Sequence, residues 1–213
     1  MNALRIYRQL LKRYGPQHWW PITGVDGSRQ PPPKPMTEAA AFEIAIGAIL
    51  TQNTSWRNVE HALVKLKQTK RLTPRALLNT PQAQLAQHVR PSGYYNEKAK
   101  KLKVFAAFVA TRGKGRLLSL ATEPTMALRD ELLAVHGIGR ETADSILLYA
   151  LGKPIFVIDA YTKRLCASKG VFFDAYDDYR QFFERALPRR VVLYQEFHAL
   201  IVRWGVDERT GTR

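Results

Sequence analysis

The amino-acid sequence predicts an all-α fold. Apolar residues recur mostly at three- and four-residue spacing, which is the period of amphipathic helices, and alternating strand patterns are scarce. Capping residues followed by proline or an acid mark several helix starts: Thr37 with Glu38, Thr73 with Pro74, and Thr80 with Pro81. These signals predict about ten helices.

The chain is long enough to bury a sizeable core, and it carries a strong positive charge. Its 213 residues are 46% hydrophobic, which allows one domain or two small interlocked ones. Lys and Arg outnumber Asp and Glu by 33 to 18, for a formal net charge of +15. The basic residues are spread through the chain, so we expect a folded surface that binds an anionic partner, either nucleic acid or an anionic membrane surface.

The chain contains a single cysteine, Cys166. One cysteine excludes an intramolecular disulfide and any multi-cysteine zinc or iron–sulfur site within this chain, and it indicates a reducing compartment. The first 15 residues interleave charged with apolar residues, and no run of about 18 apolar residues occurs. We expect a cytoplasmic protein, associated with the nucleoid if its source is prokaryotic, with no membrane partner and no bound cofactor.

A proline-rich segment interrupts the helical pattern near the N-terminus. Residues 24–35, GVDGSRQPPPKP, contain four prolines that remove backbone donors and fix the backbone, so a linker or an ordered surface loop is predicted there. We place a central helical domain at residues 37–158. Residues 1–36 and 159–213 are predicted to form a second helical lobe together.

A glycine-containing turn between two helices is the most informative local pattern. One helix is predicted to end at Val135 and His136, residues 137–139 (Gly-Ile-Gly) make a tight turn, and a second helix begins near Glu141. Ile138 anchors the turn in the core, while amides at the start of the second helix face outward and form a site for a nucleic-acid phosphate. The alternative is an ordinary corner between two helices, since glycine-rich turns are common.

The wider pattern resembles the helix-hairpin-helix, or endonuclease III, superfamily of DNA glycosylases. The segment Leu-x-x-Val-x-Gly-Ile-Gly-x-x-Thr-Ala is followed by an apolar helix, a Gly-Lys-Pro loop and Phe-Val-Ile-Asp, which ends at Asp159. Two further blocks match in order and spacing, at residues 48–54 (AILTQNT) and 91–99 (PSGYYNEKA). The resemblance implies a two-lobed helix-hairpin-helix glycosylase fold with the active site between the lobes.

The resemblance also implies roles for the residues of the turn. It implies a monovalent cation on backbone carbonyls near Val135 and Ile138. The residues expected to contact DNA at the turn are Gly137, Ile138, Gly139, Arg140 and Thr142.

Asp159 is the candidate catalytic residue. In the superfamily the Gly/Pro-rich loop ends in an essential aspartate, and Asp159 matches it. Breaking a glycosidic bond leaves positive charge on the sugar, which a nearby carboxylate stabilises or uses to align water. Asp159 is also predicted to cap the helix that starts at Ala160. A cap without catalytic function is the alternative.

Glu141 bears on a second reaction, strand cleavage. Bifunctional relatives carry a lysine at this position, directly before the threonine of the motif, and that lysine attacks the sugar as a Schiff-base nucleophile. A carboxylate cannot form the imine, so the resemblance implies a monofunctional glycosylase that uses water and leaves an abasic site, without AP-lyase activity. Lys163 is a candidate substitute amine, which we expect to face solvent or phosphate.

The C-terminal segment departs from endonuclease III. Those relatives end with four cysteines that hold an iron–sulfur cluster, whereas ALIVRWGVDERTGTR contains none. The chain is therefore most similar to the small cluster-free branch, the 3-methyladenine DNA glycosylases. Some of these carry a lysine near the catalytic aspartate in their last helix; the last lysine here is Lys169, so the task of that lysine must be done otherwise.

Aromatic residues near the N-terminus are the candidate base pocket. The pocket is expected to contain Trp19, Trp20, Pro21 and Phe42, which resemble base-stacking residues of the small 3-methyladenine enzymes. Alkylated purines carry positive charge, which electron-rich indole faces attract. The alternative is that these aromatic residues fill the core, which is their usual place, above all for Phe42.

Two polar residues complete the expected DNA interface. Gln52 resembles the residue that fills the gap left by the flipped base, although it could also simply end the helix that begins at Thr37. Lys98 and Arg90 are candidates for contacts with the DNA backbone, with an ordinary solvated surface as the alternative.

The prediction is therefore a monomeric, monofunctional DNA glycosylase that removes alkylated, 3-methyladenine-type purines from damaged double-stranded DNA in base excision repair. One alternative is an endonuclease III-like glycosylase for oxidised pyrimidines, which Glu141 and the Trp-Trp-Pro run disfavour. Another is a non-catalytic helix-hairpin-helix DNA-binding protein, which Asp159 disfavours.

Overall fold

The computed structural model describes residues 1–211, and its architecture is helical, as the sequence predicts. Within these residues there are eleven α-helices and one two-stranded hairpin. The helices are α1 (Ala3–Tyr14), α2 (Glu38–Leu50), α3 (Trp56–Gln68), α4 (Pro74–Asn79), α5 (Gln82–His88), α6 (Tyr95–Arg112), α7 (Thr125–Ala134), α8 (Arg140–Ser145), α9 (Ala160–Ala167), α10 (Tyr176–Ala186) and α11 (Val191–Thr210). A π-helical turn, Ile146–Ala150, continues α8. Strands β1 (Ile22–Thr23) and β2 (Arg29–Gln30) pair antiparallel.

The chain forms two compact units. A central unit runs from Trp20 to Leu151, and a terminal unit combines Met1–Trp19 with the described chain from Gly152 onward. These limits differ from the predicted ones, 37–158 for the central domain and 1–36 with 159–213 for the second lobe. The last two residues of that lobe, 212 and 213, lie outside the described residues.

Two sets of contacts explain the shifted limits. The backbone amide of Thr23 donates to the buried Glu43 carboxylate at 2.7 Å, and Lys67 pairs with the same carboxylate, so the strand hairpin packs onto α2 and α3. Burial raises the pKa of Glu43 despite these partners. On the other side, Phe156 stacks on Phe183 at 4.4 Å between ring centroids, which joins the loop before Asp159 to the terminal unit.

Helix α2 is the centre of the central unit. Every residue from Ala40 to Leu50 is buried, which fits a segment that is apolar on all sides and not on one face only. The Thr37 side chain caps its start, as predicted, by accepting from the Ala40 amide. The Glu38 carboxylate accepts from the amides of Leu117 and Leu118, which ties this end of α2 to a distant turn.

Two sequence-based expectations about local structure need correction. The non-helical stretch at residues 24–35 includes strand β2, so it is part of a hairpin and not only a linker or loop. Thr73 caps α4 as predicted, but Thr80 does not start α5. Its hydroxyl donates to the Ala76 carbonyl at 2.7 Å and closes α4 instead, and α5 begins at Gln82.

A cluster of aromatic rings holds the terminal unit together. The ring of Phe197 meets those of Phe156, Phe183 and Tyr7 edge-on, at centroid distances of 5.6–5.8 Å. Edge-to-face pairs of this kind stabilise a core beyond the burial of their area. The cluster therefore packs α1, α10 and α11 around the segment that precedes α9.

The described residues contain no helix that is both long enough and apolar enough to cross a membrane.

A buried ion pair joins α7 to α8. Nε of Arg129 donates to Oδ1 of Asp144 at 2.6 Å, and the second nitrogen, Nη2, donates to Oδ2 at 3.2 Å. Both side chains are almost completely inaccessible. Removal of one partner would take the neutralising charge away from the other buried side chain, which costs more than loss of an exposed pair.

Arg129→Met should therefore lower the free energy of unfolding by about 3–5 kcal/mol, measured by chemical denaturation. Arg112→Met is the matched control, because Arg112 pairs with Glu123 and Glu131 at the solvent-exposed surface and should change stability little. Equal stability losses in the two variants would contradict this account.

Candidate active site and nucleic-acid interface

The turn between α7 and α8 has the predicted hairpin geometry. Helix α7 ends at Ala134, Gly137 adopts a positive φ of 88°, and Gly139 is the N-cap of α8. A positive φ is easy for glycine and strained for other residues. Ile138 is buried, and its amide donates to the Val135 carbonyl at 3.1 Å. Ile138 therefore anchors the turn, as predicted, while Gly139 and Arg140 stay exposed.

Lys101 lies across this hairpin. A Cβ atom at Gly137 would sit 2.4 Å from Cγ of Lys101, so the lysine stem occupies the space that a larger residue would need. Its ammonium donates to Oε1 of Gln52 at 2.5 Å. Sequence reasoning singled out Lys98 and not Lys101. Lys98 and Lys101 are three residues apart and lie on the same side of α6, so local spacing did not show which of them reaches the hairpin.

Gln52 connects the end of α2 to the hairpin. It lies two residues after the last residue of α2, and its Nε2 donates to the Gly137 carbonyl and to Oγ1 of Thr142, both at 3.1 Å. Because Lys101 donates to the amide oxygen, both the nitrogen and the oxygen of the Gln52 amide group are hydrogen-bonded. The structure thus brings Gln52 and Thr142 to the hairpin, and the gap-filling function of Gln52 stays a prediction.

An open cavity of about 450 Å³ forms beside the hairpin. Its lining consists of Gln52, Lys101, residues 133–139 and Thr142. A lysine ammonium next to the amino end of a helix creates positive potential. The arrangement suits an anionic group such as a phosphate.

Lys98 does not reach the surface. Its side chain is buried, with 2% relative exposure, and its ammonium donates to the carbonyls of Leu50 at 2.8 Å and Ser92 at 2.6 Å. Burial and the nearby charge of Lys101 lower the pKa of Lys98 to about 8. The predicted DNA contact of Lys98 is therefore corrected: its ammonium satisfies the carbonyl at the end of α2 and joins α6 to it. Arg90 is exposed.

Tyr94 is an exposed aromatic residue that the sequence analysis did not single out. It precedes α6 with a left-handed backbone, φ 45°, and 73% of the residue is accessible. An exposed aromatic ring in a basic segment can stack on a nucleic-acid base. The signal was present in the block GYYNEKA, where two adjacent tyrosines precede the lysines.

The predicted base-pocket residues lie in different surroundings. Trp20 is buried, with its ring against Trp56 and Tyr149, each at 5.3 Å between centroids. The indole also packs on Gly47, where a Cβ would lie 3.2 Å from Nε1. The π-helical turn carries Tyr149, and such turns often occur at functional sites. Trp56 and Tyr149 were missed because nothing in their local pattern distinguishes them from core residues.

The other three candidates for the base pocket differ in how far they are exposed to solvent. Phe42 is 1% exposed and its ring stacks on Phe105 at 6.1 Å, so packing accounts for it here. Pro21 is buried and Trp19 is partly exposed. Contact of any of them with a flipped base stays a prediction.

Asp159 caps α9, as predicted. Its Oδ1 accepts from the Thr162 amide at 2.6 Å and from the Thr162 hydroxyl at 2.8 Å, and its Oδ2 lies 3.6 Å from Nε2 of His198. The relative solvent accessibility of the Asp159 side chain is 12%. Burial alone would raise its pKa, but His198 and the two Thr162 donors outweigh burial and hold the pKa below its usual range. The carboxylate is therefore ionised at neutral pH.

Two further residues of the predicted site, Glu141 and Lys163, lie at the surface. Glu141 is exposed in the first turn of α8. Lys163 is exposed with its ammonium over the Tyr179 ring at 5.7 Å, in agreement with a surface position. Residues 1–211 include no group of three or more His, Cys, Asp or Glu side chains that could hold a metal ion. The backbone cation near Val135 and Ile138 stays a prediction.

Comparison with known proteins gives a consistent picture. The family model described as "HhH-GPD superfamily base excision DNA repair protein" matches residues 46–188. A candidate DNA repair glycosylase of Methanocaldococcus jannaschii is 42% identical over 201 residues, which are 93% of this chain and 84% of that protein. Endonuclease III of Thermotoga maritima is 28% identical over 133 residues, 62% of this chain and 58% of its own.

Solved structures agree. The 3-methyladenine DNA glycosylase of Helicobacter pylori, solved with 1,N6-ethenoadenine, superimposes with a TM-score of 0.79 at 27% identity and covers 98% of this chain and 99% of its own. An endonuclease III–DNA complex has the same fold, with a TM-score of 0.73 at 19% identity over 96% and 86% of the two chains. The chain therefore belongs to the HhH-GPD superfamily of base excision DNA repair proteins.

Proposed function

We propose that this protein is a monofunctional DNA glycosylase that releases alkylated, 3-methyladenine-type purines from damaged double-stranded DNA. The observation that carries the proposal is the ionised carboxylate of Asp159, fixed at the start of α9 in a chain of the HhH-GPD superfamily. The enzyme acts as a cytoplasmic monomer and needs no iron–sulfur cluster, since its one cysteine cannot hold one.

The proposed reaction places Asp159 against the sugar. The bond between the sugar carbon and the base nitrogen breaks, and the bonding electron pair leaves with the base. The sugar becomes oxocarbenium-like, and the negative charge of Asp159 stabilises that state. Water then adds to the sugar and loses a proton, which leaves an abasic site.

Strand cleavage is not part of the proposed activity. A lyase needs an amine that attacks the sugar and forms an imine. The lyase-lysine position carries Glu141, and the ammonium of Lys163 is at the surface over Tyr179. Water is therefore the proposed nucleophile.

Binding to DNA is assigned to the hairpin cavity. Lys101 and the amides at the start of α8 contact a phosphate, with Gly139 and Arg140 exposed beside it. Such contacts position the protein on the duplex and carry no sequence information. A glycosylase for scattered lesions requires this kind of binding.

The preference for alkylated purines is supported by the aromatic residues. An alkylated purine carries positive charge, which indole and phenol faces attract, and Trp20, Trp56 and Tyr149 form an aromatic cluster in the central unit. The similarity to the H. pylori 3-methyladenine glycosylase supports the same substrate class. Oxidised pyrimidines are the second candidate, which the 28% identity to T. maritima endonuclease III favours.

Asp159→Asn tests the chemistry. Asparagine retains the helix cap but not the charge, so base release should fall by at least about 10²–10³-fold while DNA affinity is preserved. Single-turnover base release and fluorescence anisotropy with the same duplex measure the two properties. Unchanged base release would refute the assigned mechanism.

Gly137→Ala tests the hairpin. The added methyl group collides with Lys101 and strains a backbone with positive φ, so the Kd for duplex DNA should rise roughly tenfold, about 1.4 kcal/mol. Gly115→Ala is the matched control: its φ is also positive, at 79°, but no atom lies within 4 Å of the place that its added methyl group would take. Equal DNA affinity in the two variants would contradict the assignment of the hairpin to the DNA interface.

The substrate class is tested with two DNA preparations, one treated with dimethyl sulfate and one carrying oxidised pyrimidines. Chromatography of the released bases should show methylated purines only, and denaturing gels should show no strand breaks before alkali. Release of oxidised pyrimidines with strand cleavage would support the second candidate and contradict the first.

A further inference from the structure

His198, a buried residue of α11, faces the catalytic carboxylate. Its Nε2 lies 3.6 Å from Oδ2 of Asp159, and only 7% of the imidazole side chain is accessible. The separation is longer than a tight hydrogen bond, so the interaction is mainly electrostatic. His198 could not be selected from the sequence, because nothing near it in the chain resembles a catalytic motif.

The two oxygens of Asp159 have different partners. Oδ1 is occupied by the amide and hydroxyl of Thr162, which form the helix cap. Oδ2 is the oxygen that faces His198. The cap holds one side of the carboxylate and the imidazole holds the other, so together they fix both its orientation and its charge.

The position of His198 is set by the packing around it. Phe197, Ala199, Leu200 and Ile201 are all buried neighbours on α11, and Phe197 is enclosed by the aromatic cluster described above. A histidine in such a helix segment has little freedom to change rotamer. The imidazole is therefore held at Asp159 by the core of the terminal unit.

The other charged and titratable groups around this part of α11 are directed elsewhere. Helix α1 brings Tyr7 against Phe197. Glu196 accepts from the amide of Gln17 at 2.6 Å. Helix α10 presents Glu184, which pairs with Arg180 at 2.7 Å and accepts from the Phe156 amide. Helix α9 presents Asp159 itself.

We propose that His198 is a positioning residue for base release, which as an imidazolium orients the Asp159 carboxylate and keeps it ionised. This inference rests on the proposed glycosylase function. A histidine side chain can carry a positive charge, and an imidazolium that faces a carboxylate favours the ionised form of that carboxyl group. The consequence is that the acidic limit of activity is set by two residues that are distant in the chain and not by Asp159 alone.

The direction of the pH effect follows from the charges. Base release requires ionised Asp159, so activity is lost as the pH falls through the pKa of that carboxyl group. A positive charge at His198 favours the carboxylate, which agrees with the lowered pKa of Asp159. Removal of the charge raises this pKa and moves the loss of activity to higher pH.

The test is the pH dependence of single-turnover release of methylated purines from dimethyl sulfate-treated DNA, with release in the absence of enzyme subtracted. In His198→Gln the acidic limb should move to higher pH by about one unit, with roughly tenfold slower release on that limb. His198→Lys, which restores a positive charge, should return the limb toward its wild-type position. An unmoved limb in His198→Gln would overturn the inference.

Ile201→Ala is the control for a purely structural role of His198. It truncates a buried apolar side chain on the same helix, three residues after His198. This control should lower the melting temperature without moving the acidic limb. A shift in the control equal to that of His198→Gln would also overturn the inference. Asp159→Asn distinguishes the two proposals: if it stays active the proposed function fails, whereas an inactive Asp159→Asn with unchanged His198 variants refutes only the role of His198.

A measurement on the wild-type protein does not depend on the folding of any His198 variant. The Asp159 carboxyl group is titrated by carbon-13 NMR and assigned by its disappearance in Asp159→Asn. Its midpoint should lie below the ordinary aspartate value of about 3.9. A midpoint at or above that value would contradict the inference.

Discussion

The capping of α9 by Asp159 is the interaction on which the site depends. A carboxylate at this position satisfies the first amides of the helix through Thr162 and is stabilised by the helix dipole. His198 and the two Thr162 donors together hold the pKa of this carboxyl group below its usual range, although the side chain is mostly buried. The cap therefore begins a helix and places a negative charge in a mostly buried position, where the proposed base release would use it.

The hairpin between α7 and α8 is also stabilised by only a few residues. Gly137 turns the chain, Ile138 fixes the turn in the core, and the space left by the missing side chain is filled by the stem of Lys101. The lysine and Gln52 join α6, the end of α2 and the hairpin by hydrogen bonds. These contacts hold the hairpin in place within the protein, and such preorganisation would lower the entropic cost of the proposed phosphate binding.

The sequence correctly predicted the structural features that depend on short segments of the chain. The helical period, the Thr37 and Thr73 caps, the Gly-Ile-Gly turn and the cap at Asp159 each depend on a few adjacent residues, and the structure contains all of them. Predictions that needed the burial of a particular side chain were less successful. Lys98 was expected at the DNA backbone, yet it serves the carbonyls of Leu50 and Ser92, because the helix face that it occupies points into the core.

The sequence by itself determined the fold class, the hairpin, the candidate catalytic Asp159 and the absence of an amine at Glu141, since periodicity, glycine conformation and residue type are properties of short segments. Only the tertiary structure decided which lysine faces the hairpin, which aromatic rings surround Trp20, and that His198 meets Asp159. These contacts join residues far apart in the chain, and they are set by helix packing, which short-range patterns do not encode.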